Sequence, residues 1–121
     1  MVGKYNDFRD MRVWQNAFSL LCEVYKLIKL FPKDELFCLT DQIKRASNSV
    51  VHNIAEGYGR FESKDKTRFY KIAKGSAFET ISQILVANSQ NYVSTDISER
   101  MIMGYKNVID ELIALIVSLE K

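Results

Sequence analysis

Residues 13–32 read VWQNAFSLLCEVYKLIKLFP, and their spacing decides the architecture. Val13, Ala17, Leu20, Val24, Leu27 and Phe31 recur at intervals of 4-3-4-3-4. Residues three and four apart share one side of a helix, so these positions form a continuous apolar stripe. Phe31-Pro32-Lys33 ends it, because proline disfavours helix at the residue before it and suits a helix start just after. Beyond the proline the seam resumes as Leu36, Leu39, Ile43, Ala46, Val50 and Ile54, with Asp34 placed to cap it. Gly57-Tyr58-Gly59 closes that segment, glycine being the usual residue past a helix end. Ser63 then suits the cap of a third segment, which carries Phe69, Ala73, Ser76, Thr80, Ile84 and Ala87. A polar stretch from Asn91 to Thr95 precedes the fourth, which starts near Asp96 with Ile97, Met101, Val108, Leu112, Leu115 and Leu119.

The pattern predicts helices over residues 11–31, 34–57, 63–90 and 96–120, and strand-type alternation is absent. Long amphipathic helices joined by short loops make an all-α, antiparallel up-down-up-down four-helix bundle. A chain of 121 residues, 47% apolar, suits a single domain over 1–121, with 1–10 as an N-terminal extension. No apolar run reaches the roughly 18 residues that a membrane span requires. The stretch MVGKYNDFRDMRVW alternates charge with aromatics and has no apolar signal core. A cytoplasmic protein without a membrane partner is the expectation.

Catalytic chemistry finds few residues to carry it. A di-iron bundle site needs Glu-x-x-His on two helices, whereas the chain has one histidine, His52, and no such motif. His52 and Glu56, four apart, read as a helix-surface contact. Nucleophilic catalysis needs a histidine beside the nucleophile. Cys22 and Cys38 form neither a disulfide framework nor a zinc site and read as small buried apolar residues. Gly57-Tyr58-Gly59 follows no strand, so it is not a phosphate loop. No enzyme, metal or cofactor is expected.

Two polar features and one apolar surplus remain. Gln42, Ser49, Asn53 and Glu56 run beside the second seam, and Gly75, Ser76, Glu79 and Gln83 answer on the third. Half-buried polar groups need partners, and Gly75 and Ser76 would let two helices approach closely. Asn53, Glu56, Ser76 and Glu79 are therefore read as a structural network, with a ligand cleft as the alternative. Between Arg60 and Lys74 six basic residues face two acidic ones, a local +4 in a chain of +2. Arg60, Lys64, Arg68, Lys71 and Lys74 are the candidate phosphate-binding stripe, against the plainer reading of a solvated helix face. Tyr58, Phe61 and Tyr70 are the rings near enough to stack a base, with Phe61 also a candidate core residue. Segment four carries a second apolar stripe, Ile102, Tyr105, Ile109, Ile113 and Ile116. An apolar girth this wide predicts burial between subunits, with Ile102, Ile109, Ile113 and Ile116 as interface candidates unless segment one covers them.

The blocks VWQNAFSLLCEVYKLIKLFP, QIKRASNSVVHNIAEGYGR and RFYKIAKGSAFETISQI resemble the four-helix-bundle family of 23S ribosomal RNA intervening-sequence proteins. The resemblance runs from about Asp10 to the C-terminus, and NIAEG-x-GR followed by RF-x-x-IA-x-GS carries most of its specificity. It implies up-down bundles that associate as homopentamers. Some members are encoded within intervening sequences of bacterial ribosomal RNA genes, and distant relatives accompany the reverse transcriptase of diversity-generating retroelements. The implied partners are further copies of the chain and RNA or a nucleic-acid-processing protein. The chain departs from the family at Val50-Val51-His52, where a proline is common, and at Thr80, usually leucine. A straighter second helix and one weaker core layer should follow. The functional expectation is a non-catalytic, oligomeric RNA-binding bundle, with a protein–protein adaptor as the alternative.

Overall fold

The four seams become four helices in the computed structural model, which describes residues 7–121: α1 (Arg12–Leu27), α2 (Leu39–Gly59), α3 (Ser63–Ser89) and α4 (Thr95–Leu119). Among the described residues there is no strand. Each helix packs against its chain neighbours and α1 closes on α4, so the helices run up, down, up and down around one core. At 1.5 Å per residue, the 27-residue α3 is about 40 Å long. Val24, Ile43, Val50, Ile54, Ile84, Met101, Val108 and Leu112 are fully buried along its axis. Of the N-terminal extension, residues 1–6 lie outside the described residues. Phe8–Asp10 form a short 3-10 turn that lays Phe8 edge-on against Trp14 at 5.1 Å.

Helix boundaries follow local chemistry more closely than the seams did. α1 tightens into a 3-10 turn, Ile28–Leu30, and Phe31 is extended (φ −76°, ψ 142°) ahead of Pro32. α2 begins at Leu39, later than expected, because Lys33–Glu35 form another 3-10 turn and Cys38 (φ −122°, ψ −104°) breaks the path. Asp34 does not cap it. Glu35 serves instead: its carboxylate accepts from the Leu39 amide at 3.4 Å and from the Tyr92 hydroxyl at 2.8 Å. Ser63 is the first residue of α3 rather than its cap, and α4 is capped by Ser94, whose hydroxyl accepts from the Ile97 amide at 3.3 Å. α2 continues without a break from Leu39 to Gly59. Thr80 is fully buried yet satisfied, donating to the Ser76 carbonyl at 2.8 Å.

Three expectations need correction. The second stripe of α4 is consumed inside the chain: Ile102, Ile109 and Ile116 are 6%, 4% and 6% exposed, and Tyr105 is fully buried. α4 is flanked by both α1 and α3, so a wide apolar arc is what its two neighbours require, and only Ile113 stays substantially open. Cys22 and Cys38 are exposed, because Cys22 faces away from the seam of α1 and Cys38 sits in the bend before α2. The glycines also exchange roles. Gly75 is exposed with no atom within 4 Å of where a Cβ would lie, so it brings no helices together. Gly57 does: a Cβ there would stand 2.6 Å from Cε1 of the buried Tyr70 ring.

These two glycines therefore predict opposite signs. Gly57→Ala forces a methyl into a ring held on all sides and should cost about 1–3 kcal/mol. Gly75→Ala relieves an exposed helical glycine and should stabilise by about 0.5–1 kcal/mol. Denaturant unfolding followed by circular dichroism measures both, and equal effects at the two positions would contradict the packing described.

Candidate nucleic-acid interface

Residues 60–62 join α2 to α3, and the short corner determines where the basic residues go. Lys66 turns back and donates to the Tyr58 carbonyl at 2.8 Å and, at 3.3 Å, to the Gly57 carbonyl, which also accepts from the Arg60 amide, so the lysine helps to satisfy the end of α2. Its partial burial lowers the ammonium pKa below the usual lysine value. Arg60 ion-pairs with Glu56 at 2.9 Å, and its guanidinium lies 4.6 Å from the centre of the Phe69 ring. Arg68 lies 4.4 Å from the same ring. Each such contact contributes about 0.5–1 kcal/mol at exposed sites, and together they hold two guanidinium groups on one aromatic side chain.

Arg68 also lines a groove of about 1090 Å³ between the start of α3 and the end of α4. Lys64, Arg68 and Lys71 line it, with Asp65 and Ile72 from α3 and Leu119 and Glu120 from α4. Lys71 is paired with Glu120 at 2.9 Å, an exposed ion pair that holds the groove together only weakly. Lys64 and Arg68 have no ion-pair partner within 4.0 Å among the described residues. Thr67 also lines the groove, and its buried hydroxyl has no hydrogen-bond partner among the described residues. Five expected phosphate contacts thus divide. Lys64, Arg68 and Lys71 share the groove, Arg60 joins them through Phe69, and half-buried Lys74 is not part of the groove lining. The sequence reading singles out neither Thr67 nor Glu120, and it takes Phe69 only as a seam residue, whereas its half-buried ring carries the two guanidinium groups. The arginine-ring contacts have a local signal in the spacing of Arg60, Arg68 and Phe69, whereas Glu120 arrives only through the antiparallel return of α4.

The polar residues between α2 and α3 also divide. Ser49 and Ser76 bridge the helices, hydroxyl to hydroxyl, at 2.8 Å. Asn53 joins them, its amide nitrogen donating to the Ser49 carbonyl at 2.9 Å and hydroxyl at 3.0 Å. Glu79 instead accepts from Gln83 at 3.2 Å within α3, and Glu56 turns outward to Arg60. Of the four expected network residues, Ser76 links the two helices, through Ser49; Asn53, Glu56 and Glu79 bond within their own stretch of chain, Asn53 holding Ser49 from one turn on. His52 is exposed, and Glu56 is engaged by Arg60 rather than by it. Among the described residues, no group of three or more His, Cys, Asp or Glu is gathered as a metal would need. Nor is any described helix long and apolar enough to cross a membrane.

These features define a four-helix bundle with a basic groove at one end. Residues 9–114 match the family described as 23S rRNA-intervening sequence protein, and the chain belongs to that family. A solved structure of a Bacteroides thetaiotaomicron protein of unknown function, from the S23 ribosomal protein family, shares the fold with a TM-score of 0.80. The two are 21% identical, over 86% of this chain and 97% of that one. No curated protein matches the chain.

The Asn53 contacts that hold Ser49 yield a stability prediction. Asn53→Ala removes two donated hydrogen bonds at a half-buried position and should cost about 0.5–1.5 kcal/mol. Urea unfolding measures it, and an unchanged midpoint would show that these bonds to Ser49 carry no net stability.

Proposed function

We propose that the chain is a non-catalytic RNA-binding protein that grips phosphates with the start of α3. The observation that carries this reading is the convergence of Lys64, Arg68 and Lys71 on one open groove, with Arg60 beside them on the Phe69 ring. Arginine suits phosphate because its planar donors can grip two oxygens at once. Lysine adds a point charge that displaces counterions. The family's tie to 23S rRNA intervening sequences makes RNA the first ligand to test, and a cytoplasmic location fits that ligand.

Self-association belongs to the same reading, since a few charges per chain bind weakly and copies on one strand add avidity. A homopentamer is the form that the family resemblance suggests. The apolar side chains left exposed on α3 and α4 include Phe78 and Leu85 with Met103, Ile113 and Val117, all between 42% and 59% exposed. They replace the buried Ile102, Ile109 and Ile116. The same side chains would serve a protein partner in the adaptor alternative.

One titration separates these readings. With about four phosphate contacts, log affinity for single-stranded RNA should fall against log salt with a slope near −3. Lys64→Glu with Arg68→Glu should abolish binding without loss of helix content, since neither side chain enters the core. Sedimentation of the same samples should show a species larger than one chain. Full affinity in the double variant would eliminate the groove as the RNA site. A parent that binds no RNA at low salt would leave the adaptor reading.

A further inference from the structure

We infer that Phe61 is a stacking platform for an unpaired base, so that the groove takes single-stranded or looped RNA in preference to duplex. This deepens the RNA-binding reading and rests on it. Phe61 is 93% exposed at the α2–α3 corner, more than any other large apolar residue among those described. The other rings of this region are committed elsewhere. Tyr70 is buried under Gly57, Tyr58 packs against the core, and Phe69 lies under two guanidinium groups. Phe61 alone offers an open face.

Its surroundings select the occupant. Arg60 precedes it, and Lys64, three residues later, lines with Arg68 the groove along the start of α3. An aromatic face flanked by cations that track into a groove is the pattern by which proteins hold a single strand: bases stack while phosphates are neutralised. In an A-form duplex each base is already stacked, and side chains cannot read its deep, narrow groove. A two-fold contact of this corner with its own copy would bring Arg60 and Lys64 against their counterparts, so like charge opposes that pairing. A membrane-inserting tip would need several large apolar residues, but Phe61 is followed by Glu62, and Asp65 lies one turn on.

The test compares the full-length parent with Phe61→Ala and Phe61→Trp by fluorescence anisotropy at low salt. The probes are an end-labelled oligouridine strand and an RNA duplex of equal length. Phe61→Ala should weaken oligouridine binding roughly tenfold, the loss of one base stack, and leave duplex binding unchanged. Phe61→Trp should retain affinity, and oligouridine but not duplex should quench its added emission relative to the parent's Trp14. Circular dichroism should match the parent for both variants, since the ring supports no core contact. If Phe61→Ala binds both RNAs as the parent does, the stacking inference fails while the phosphate-binding reading stands. If the parent binds neither RNA, both fall. Binding to phosphatidylserine vesicles that is lost in Phe61→Ala, with RNA binding intact, would assign the ring to a lipid surface and overturn the inference.

Discussion

The close approach of Tyr70 to the backbone at Gly57 is the constraint on which the rest of the molecule depends. With 2.6 Å between a would-be Cβ and the ring, only glycine lets the end of α2 lie this near to α3. The corner then needs just residues 60–62, and two consequences follow. Lys66 reaches the last carbonyls of α2, and Arg60 comes over Phe69 from the corner while Arg68 reaches it from the preceding position of α3. A packing requirement in the core thus positions charge at the surface. Further along the same pair of helices, the Ser49–Ser76 bridge continues the close contact and fixes how α2 and α3 slide past each other.

The architecture was legible because each seam is long and unbroken. Val13 to Leu27 of the first seam are buried in α1, and Met101, Val108 and Leu112 of the last are fully buried. What local pattern could not supply was the identity of each helix's neighbour. The surplus apolar face of α4 looked like a subunit interface because two flanking helices were not yet in place; α1 and α3 account for Ile102, Ile109 and Ile116. Glycine misled for a related reason. Gly75 lies next to Ser76, which does make the bridge, but only the three-dimensional arrangement separates an exposed glycine from one under a ring. Caps shifted by a residue or two because competing acceptors sit close together in sequence, as Glu35 does beside Asp34.

The basic stripe shows how pairing reshapes a charge count. Of the six cations from Arg60 to Lys74, Lys66 serves the end of α2, Lys71 is held by Glu120, and Arg60 by Glu56. Those exposed pairs are weak enough for a phosphate to displace, and Lys64 and Arg68 have no such competitor within 4.0 Å among the described residues. The groove is therefore less electropositive than the sequence suggested and more localised. Lys64, one of the two cations without an ion pair, follows the exposed Phe61 by three residues, which ties the two proposals for this end of the bundle together.

Photo-cross-linking to a single-stranded RNA carrying 4-thiouridine, with the attachment points mapped by mass spectrometry, tests the central claim most directly. The account predicts adducts confined to the α2–α3 corner and the first turns of α3, between Arg60 and Lys71. Adducts concentrated on α1, or at the opposite end of the bundle around Phe37 and Asn91, would contradict it.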